Sequence, residues 1–174
     1  MQFKFEFPQC SYSGYLAFTP PTTTTTTASL SRPLLLVTDA GHDAVHGVDV
    51  VGRTHAGYVA APGSIAGPRG VAASGASPLV AVSAWKKSDS GDHVVVVYRG
   101  SHGGAAWEAV RVIGGGLRGP GSGDGQLNVP YGLRFSGDGS TVRVADAGNY
   151  RASVWRRWRA GGWRRPGSRT PWSL

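Results

Sequence analysis

The chain has 174 residues, and glycine (27) with proline (11) supplies about a fifth of them, a density of punctuation that excludes a helical bundle. With 40% hydrophobic and only 16% charged residues, the composition is that of a folded, turn-rich chain, and all-β is the expected class. The net charge of +8 raises polyanion binding, but seven of the 18 basic residues lie from Arg151 onward, where no acid occurs, so the preceding 150 residues are close to neutral.

In chain order, residues 1–29 read as an N-terminal segment: Phe3, Phe5 and Phe7 alternate like a short strand, and Pro20, Pro21 and a run of threonines follow as a linker. Glu6, Pro8 and Gln9 break any apolar run that a secretory signal would need, and no stretch is long and apolar enough for a membrane span. The single Cys10 excludes an internal disulfide and a cysteine-based metal cluster, which tilts the expected compartment toward the reducing cytoplasm. Residues 30–158 form the body, with short β-rich runs separated by Gly, Pro, Asn and Asp. Strands are expected at 34–38, 44–51, 55–60, 69–74, 79–84, 93–98, 108–113, 131–136, 141–146 and 152–157. Residues 159–174 read as a disordered tail rich in Arg and Trp.

The body repeats itself. Pro68-Arg69-Gly70-Val71-Ala72 returns as Pro130-Tyr131-Gly132-Leu133-Arg134, and Val82 and Val144 follow at the same distance from their prolines. Val37-Thr38-Asp39-Ala40-Gly41-His42 matches Val144-Ala145-Asp146-Ala147-Gly148-Asn149. A period of about 45 residues, stretched by an insertion in the later copy, falls in the range of propeller blades of four strands each. Proline suits the first residue of a strand, where no ladder donor is needed, and the nearby glycine permits close approach of neighbouring backbones. Asp138-Gly139 signals a tight hairpin, and Asp39, Asp146 and Asn149 fall in turns where their side chains can bond backbone groups, so all four read as structural turn residues.

The stretch from Gly123-Asp124-Gly125-Gln126 through Pro130-Tyr131-Gly132-Leu133 to Val144-Ala145-Asp146-Ala147-Gly148-Asn149-Tyr150-Arg151 resembles one repeat of the NHL family of β-propellers. In the copy at Pro68, Ser83-Ala84-Trp85 stands where the family pattern has Ala-Asp, and the first copy lacks its Pro-x-Gly half. The resemblance implies an all-β, incomplete propeller of four-stranded antiparallel blades, about two and a half of them, missing the innermost strand at the front and the outermost at the end. Open edges of such a ring imply self-association.

Candidate chemistry follows from where reactive residues fall. Gly114, Gly116 and Gly119 make a formal G-x-G-x-x-G after a strand, but Pro120 and Gly121 exclude the helix that would hold a pyrophosphate. Gly63-Ser64-Ile65-Ala66-Gly67 has the wrong order for a nucleophile elbow, and His42 with His46 lies on a turn and strand, where four-residue spacing does not make a metal site. No catalytic residue, metal site or cofactor is therefore expected. Arg69 and Tyr131 are the variable residues between Pro and Gly, and Trp85 stands where the better repeat carries Asp146, so these three are the candidate binding residues at the axial mouth. Arg156, Arg157, Trp158 and Arg159 form a basic, aromatic cluster suited to weak polyanion binding. The expected function is a non-catalytic interaction module for a protein partner, with nucleic acid as a second partner class through the tail. A fragment of a propeller lyase or hydrolase, or an RNA-binding surface, are the alternatives.

Overall fold

The computed structural model describes residues 13–19, 33–85, 91–101, 106–115, 119–157 and 163–164. They form twelve strands: β1 (Ser13–Phe18), β2 (Leu34–Asp39), β3 (Ala44–Asp49), β4 (Thr54–Ala60), β5 (Pro68–Ala73), β6 (Leu79–Ala84), β7 (Val94–Gly100), β8 (Trp107–Gly114), β9 (Pro130–Phe135), β10 (Thr141–Asp146), β11 (Arg151–Arg157) and β12 (Trp163–Arg164). Each run of four consecutive strands makes one antiparallel sheet in the order β1-β2-β3-β4, β5-β6-β7-β8 and β9-β10-β11-β12. Sequential strands are neighbours in each sheet, a simple meander, with short reversals at most connections and the threonine-rich insertion between β1 and β2. Among the described residues no helix is long and apolar enough to cross a membrane.

The class is all-β as expected, and the ten strands read from the sequence are present within about two residues of their expected bounds. Two further strands correct the expected organisation. Ser13–Phe18, read as part of the N-terminal segment, is the first strand of the first sheet, and Trp163–Arg164, read as disordered tail, is the last strand of the third. There are therefore three complete four-stranded sheets, not two and a half. The alternating Phe3–Phe7 segment and the threonine run lie outside the described residues.

Register explains why β1 escaped recognition. Ser13 pairs with Asp39 as Pro68 pairs with Ala84 and Pro130 with Asp146, so Ser13-Gly14-Tyr15 occupies the place of Pro-x-Gly without its proline. The threonine-rich insertion between β1 and β2 then removes the constant spacing on which a repeat search depends.

Two apolar layers hold the sheets together. Leu34, Leu36 and Val45 of the first sheet pack against Val80, Val82, Val94 and Val96 of the second. Leu79, Ala81, Val95 and Val97, on the second sheet's other face, pack against Phe135, Val142, Val144 and Trp155 of the third. The central sheet is thus covered on both faces, and Val94 to Val97 reads as a continuous apolar run rather than an alternating one. In β10 only one face is covered, and Val142, Val144 and Asp146 alternate with Thr141, Arg143 and Ala145.

The first strands of the sheets lie side by side, with β5 in contact with both β1 and β9. Two hydroxyls join them in the same way. Thr38 Oγ1 accepts from the Tyr15 backbone N–H (2.9 Å) within its own sheet and donates to the Arg69 carbonyl (2.9 Å) of the next. Ser83 Oγ accepts from Gly70 N–H (2.8 Å) and donates to the Tyr131 carbonyl (2.6 Å). A second lock precedes each proline. Gly67 and Val129 both adopt left-handed backbone angles, and their N–H groups donate to Asp43 Oδ1 (2.8 Å) and His93 Nδ1 (2.9 Å) of the preceding sheet.

Candidate functional site

The close approach of β5 and β9 brings together the variable residues of the two Pro-x-Gly copies. Arg69 follows Pro68 on β5, Tyr131 follows Pro130 on β9, and Trp85 leaves the end of β6 with its backbone N–H on the Gly67 carbonyl (3.1 Å). The Arg69 guanidinium carbon lies 4.8 Å from the centroid of the Trp85 ring, within cation–π range. Trp85 meets Tyr131 edge-on at 5.4 Å and His93 at 5.9 Å, and Tyr15 of β1 adds a ring 6.4 Å from Tyr131. The three residues expected at a binding mouth are therefore one cluster. Tyr15 and His93 belong to it as well, and the sequence carried no signal for either.

Register corrects one detail. Pro68 pairs with Ala84 as Pro130 pairs with Asp146, so Ala84 fills the place of Asp146, and Trp85 is the residue after it. Loss of the carboxylate at that place leaves the strand end without the aspartate hydrogen bonds found in the other two sheets, and Trp85 follows it.

The cluster's polar chemistry is that of a donor site. Arg69 Nε and Trp85 Nε1 are buried and have no hydrogen-bond partner among the described residues. A buried unpaired donor costs on the order of 1–3 kcal/mol, so two adjacent ones favour a ligand that brings acceptors. Guanidinium beside indole suits a carboxylate or a row of backbone carbonyls.

The turn residues behave alike in the two equivalent sheets. Asp39 and Asp146 are fully buried. Asp39 accepts from Gly41 N–H (3.0 Å), His42 N–H (3.1 Å) and His42 Nδ1 (2.9 Å), with His46 Nε2 at 3.5 Å. Asp146 accepts from Asn128 N–H (2.6 Å), Asn149 Nδ2 (2.9 Å), Arg151 Nε (2.7 Å) and Ser153 Oγ (3.3 Å). His42 and Asn149 stand three residues after their aspartates and His46 and Ser153 seven, so the same lattice is filled with different donors. Asn149 Nδ2 also reaches the Gly121 carbonyl (2.9 Å). Asp138 accepts from the Ser136 hydroxyl (2.5 Å), the Ser140 hydroxyl (2.7 Å) and the Ser140 N–H (3.1 Å), and these bonds hold its carboxyl down at about 2.

One grouping was not legible in the sequence. His46 Nδ1 lies 3.2 Å from His55 Nε2, and Tyr58 packs on both rings, so β3 and β4 carry a His-His-Tyr cluster joined to Asp39. Burial, and after it the His46 charge, lowers the His55 pKa. Among the described residues no group of three or more His, Cys, Asp or Glu is arranged to hold a metal ion. Of the basic cluster at the chain's end, Arg156 and Arg157 are exposed at the end of β11, while Trp158 and Arg159 lie outside the described residues. Gly114 closes β8 with a left-handed angle, and Gly116 of the glycine motif is also outside the described residues.

Comparison with known proteins finds no matching family model and no matching curated protein.

Proposed function

We propose that each sheet is a blade of an NHL-like β-propeller and that the chain is a non-catalytic interaction module holding a protein partner through Arg69, Trp85 and Tyr131. The blade reading is supported by the meander order, by the adjacent first strands and by the repetition of both inter-sheet locks at equivalent positions. The binding reading rests on one observation: the Arg69 guanidinium lies over the Trp85 ring, and Arg69 Nε and Trp85 Nε1 are buried without hydrogen-bond partners among the described residues. A peptide segment presenting a carboxylate or extended backbone carbonyls would satisfy them, and the Tyr15 and Tyr131 rings would flank it.

A displayed peptide library selected against the full chain provides the test. Selected peptides should lose about 10- to 100-fold in affinity toward Arg69→Ala and Trp85→Ala, as expected for anchor residues. Tyr131→Ala should lose less, since its backbone carbonyl still accepts from Ser83. Peptides that bind the triple variant as they bind the unaltered protein would overturn the reading, provided circular dichroism shows the variant folded.

A further inference from the structure

The third sheet has one face packed on the second sheet and one face turned away from it. Alternation puts Gly132, Arg134, Thr141, Arg143, Ala145, Ala152, Val154 and Arg156 on the outward face, and no Asp or Glu occupies a position there. Arg134 and Arg143 are directly opposed across β9 and β10, and both are exposed, as is Arg156. Arg164 stands opposite Arg156 in register.

Comparison of equivalent rungs shows what is unusual about this face. The cross-strand pair at this rung is Ala17 with Leu36 in the first sheet and Ala72 with Ala81 in the second, where it belongs to the apolar layer toward the next sheet. In the third sheet the same rung is Arg134 with Arg143. One rung along, Leu34 and Leu79 give way to Thr141, which faces Arg156. The hydroxyls of Thr38 and Ser83, which tie each sheet to its successor, have Ala145 as their counterpart. The positions on the first two strands that dock a following sheet thus carry Arg134, Arg143, Thr141 and Ala145 in the third sheet, whereas on β11 Val154 keeps the valine of Val97 and Arg156 stands where the second sheet already has Arg99. Like charges directly opposed on a sheet are destabilising, and with no acid on the face nothing local offsets them.

We infer that this outward face is a docking surface for the phosphate backbone of a nucleic-acid strand, bound by Arg134, Arg143 and Arg156. Arg134 and Arg143 stand straight across β9 and β10, and Arg156 lies one rung along on β11, with strands spaced about 4.8 Å apart, so the three span neighbouring strands rather than a point. Gly132, Ala145 and Ala152 keep the surface low beside Arg134 and Arg143, on the side away from Arg156. Among the described residues the face offers no exposed large apolar side chain to anchor a protein partner, whereas release of counterions from phosphates by guanidinium groups is enough to bind a polynucleotide. This surface lies on the sheet's flank and does not depend on the Arg69–Trp85 cluster.

The test is binding of the full chain to a labelled single-stranded oligothymidylate, followed by fluorescence anisotropy over a range of salt concentrations. Arg134→Glu/Arg143→Glu should weaken binding by at least about tenfold at low salt and lower the slope of log affinity against log salt by roughly 1.4, about 0.7 for each lost phosphate contact. Arg99→Glu/Arg111→Glu, on the second sheet, makes the same change in net charge and should cost far less. The single Arg143→Glu creates an opposite-charge pair with Arg134, so it should keep or raise the melting temperature while still weakening binding, which separates recognition from folding. Equal losses in the two double variants, or no binding by the unaltered chain at low salt, would overturn the inference. Displacement of the oligonucleotide by polyglutamate at equal charge would also overturn it and assign the face to an acidic protein.

Discussion

Gly70 shows how much of this architecture turns on single atoms. A Cβ at Gly70 would overlap the Tyr131 carbonyl oxygen and press on the Ser83 hydroxyl, so the absence of a side chain is what allows β5 to lie against β9. Gly70→Ala should therefore lower stability by about 1–3 kcal/mol and weaken any ligand of the Arg69 cluster, because the backbone carrying Arg69 and Tyr131 must separate. Gly132, the matching residue of β9, meets only a methyl group at ordinary contact distance, and Gly132→Ala should be close to neutral in the same denaturant titration. The His46–His55 pair makes a prediction of opposite character. The folded state holds the His55 pKa below its ordinary 6.5 by burial and the adjacent His46, so folding favours the neutral ring. Stability from this group is intact above about pH 6.5 and declines as pH falls toward the lowered folded value. Urea unfolding at pH 7.5 and 5.5 should show a smaller loss on acidification for His55→Gln than for the unaltered protein.

Among the elements, β12 shows how much a very short strand can bury. It has two residues, yet Trp163 is only 4% exposed and meets Phe135 edge-on with centroids 6.1 Å apart. Trp163→Ala should cost about 3–5 kcal/mol in a thermal or chemical unfolding measurement, within the range for truncating a buried tryptophan. Removal of residues 159–174, which composition presents as harmless, takes this strand away and should produce a comparable loss. An unchanged melting temperature in the truncated chain would show that Trp163 packs there without stabilising it. β1 is the counterpart at the other end of the array: its Thr19 neighbour closes the strand on Leu34 through paired backbone and side-chain hydrogen bonds, despite the insertion between them.

At the scale of the molecule, the three sheets present two outer faces of different chemistry. The third sheet's is cationic. On the first sheet, Leu16 and Phe18 pair with Val37 and Leu35 on the face away from the second sheet, and they remain 64% and 62% exposed. Tyr58, opposite His46, continues the same face. Exposed apolar surface of this kind drives association, so the chain should show concentration-dependent oligomers in sedimentation velocity. Leu16→Lys/Phe18→Lys should shift the population to monomer without lowering the melting temperature. Monomer at every concentration of the unaltered protein would remove self-association through this face. The cationic face predicts the specificity of that contact: head-to-tail stacking would place an apolar face against arginines, so pairing of two first sheets is the favoured geometry.

Class, strand positions and turn residues were determined by the sequence, because they depend on interactions between residues close in the chain. Period-two alternation, proline at a strand's first residue, and aspartate beside glycine act locally and leave local marks. The candidate mouth was partly legible for the same reason: the Pro-x-Gly repeats singled out Arg69 and Tyr131. The placement of Trp85, one residue past the aspartate position, needed the register of β5 with β6. Contacts made across long separations were decided only by the tertiary structure. β1 pairs across the threonine insertion, β12 adds to β11 across a glycine-rich stretch, and the His46–His55 contact depends on two irregularities in the β3–β4 register. The arginine face is the clearest case. Read along the chain, Arg134 and Arg143 stand near acids in a nearly neutral body and Arg156 belongs to the basic tail, so nothing in the order of residues joins the three. The pleat sorts residues by face, and only pairing across strands shows that one face collected the cations while Asp146 fell on the other.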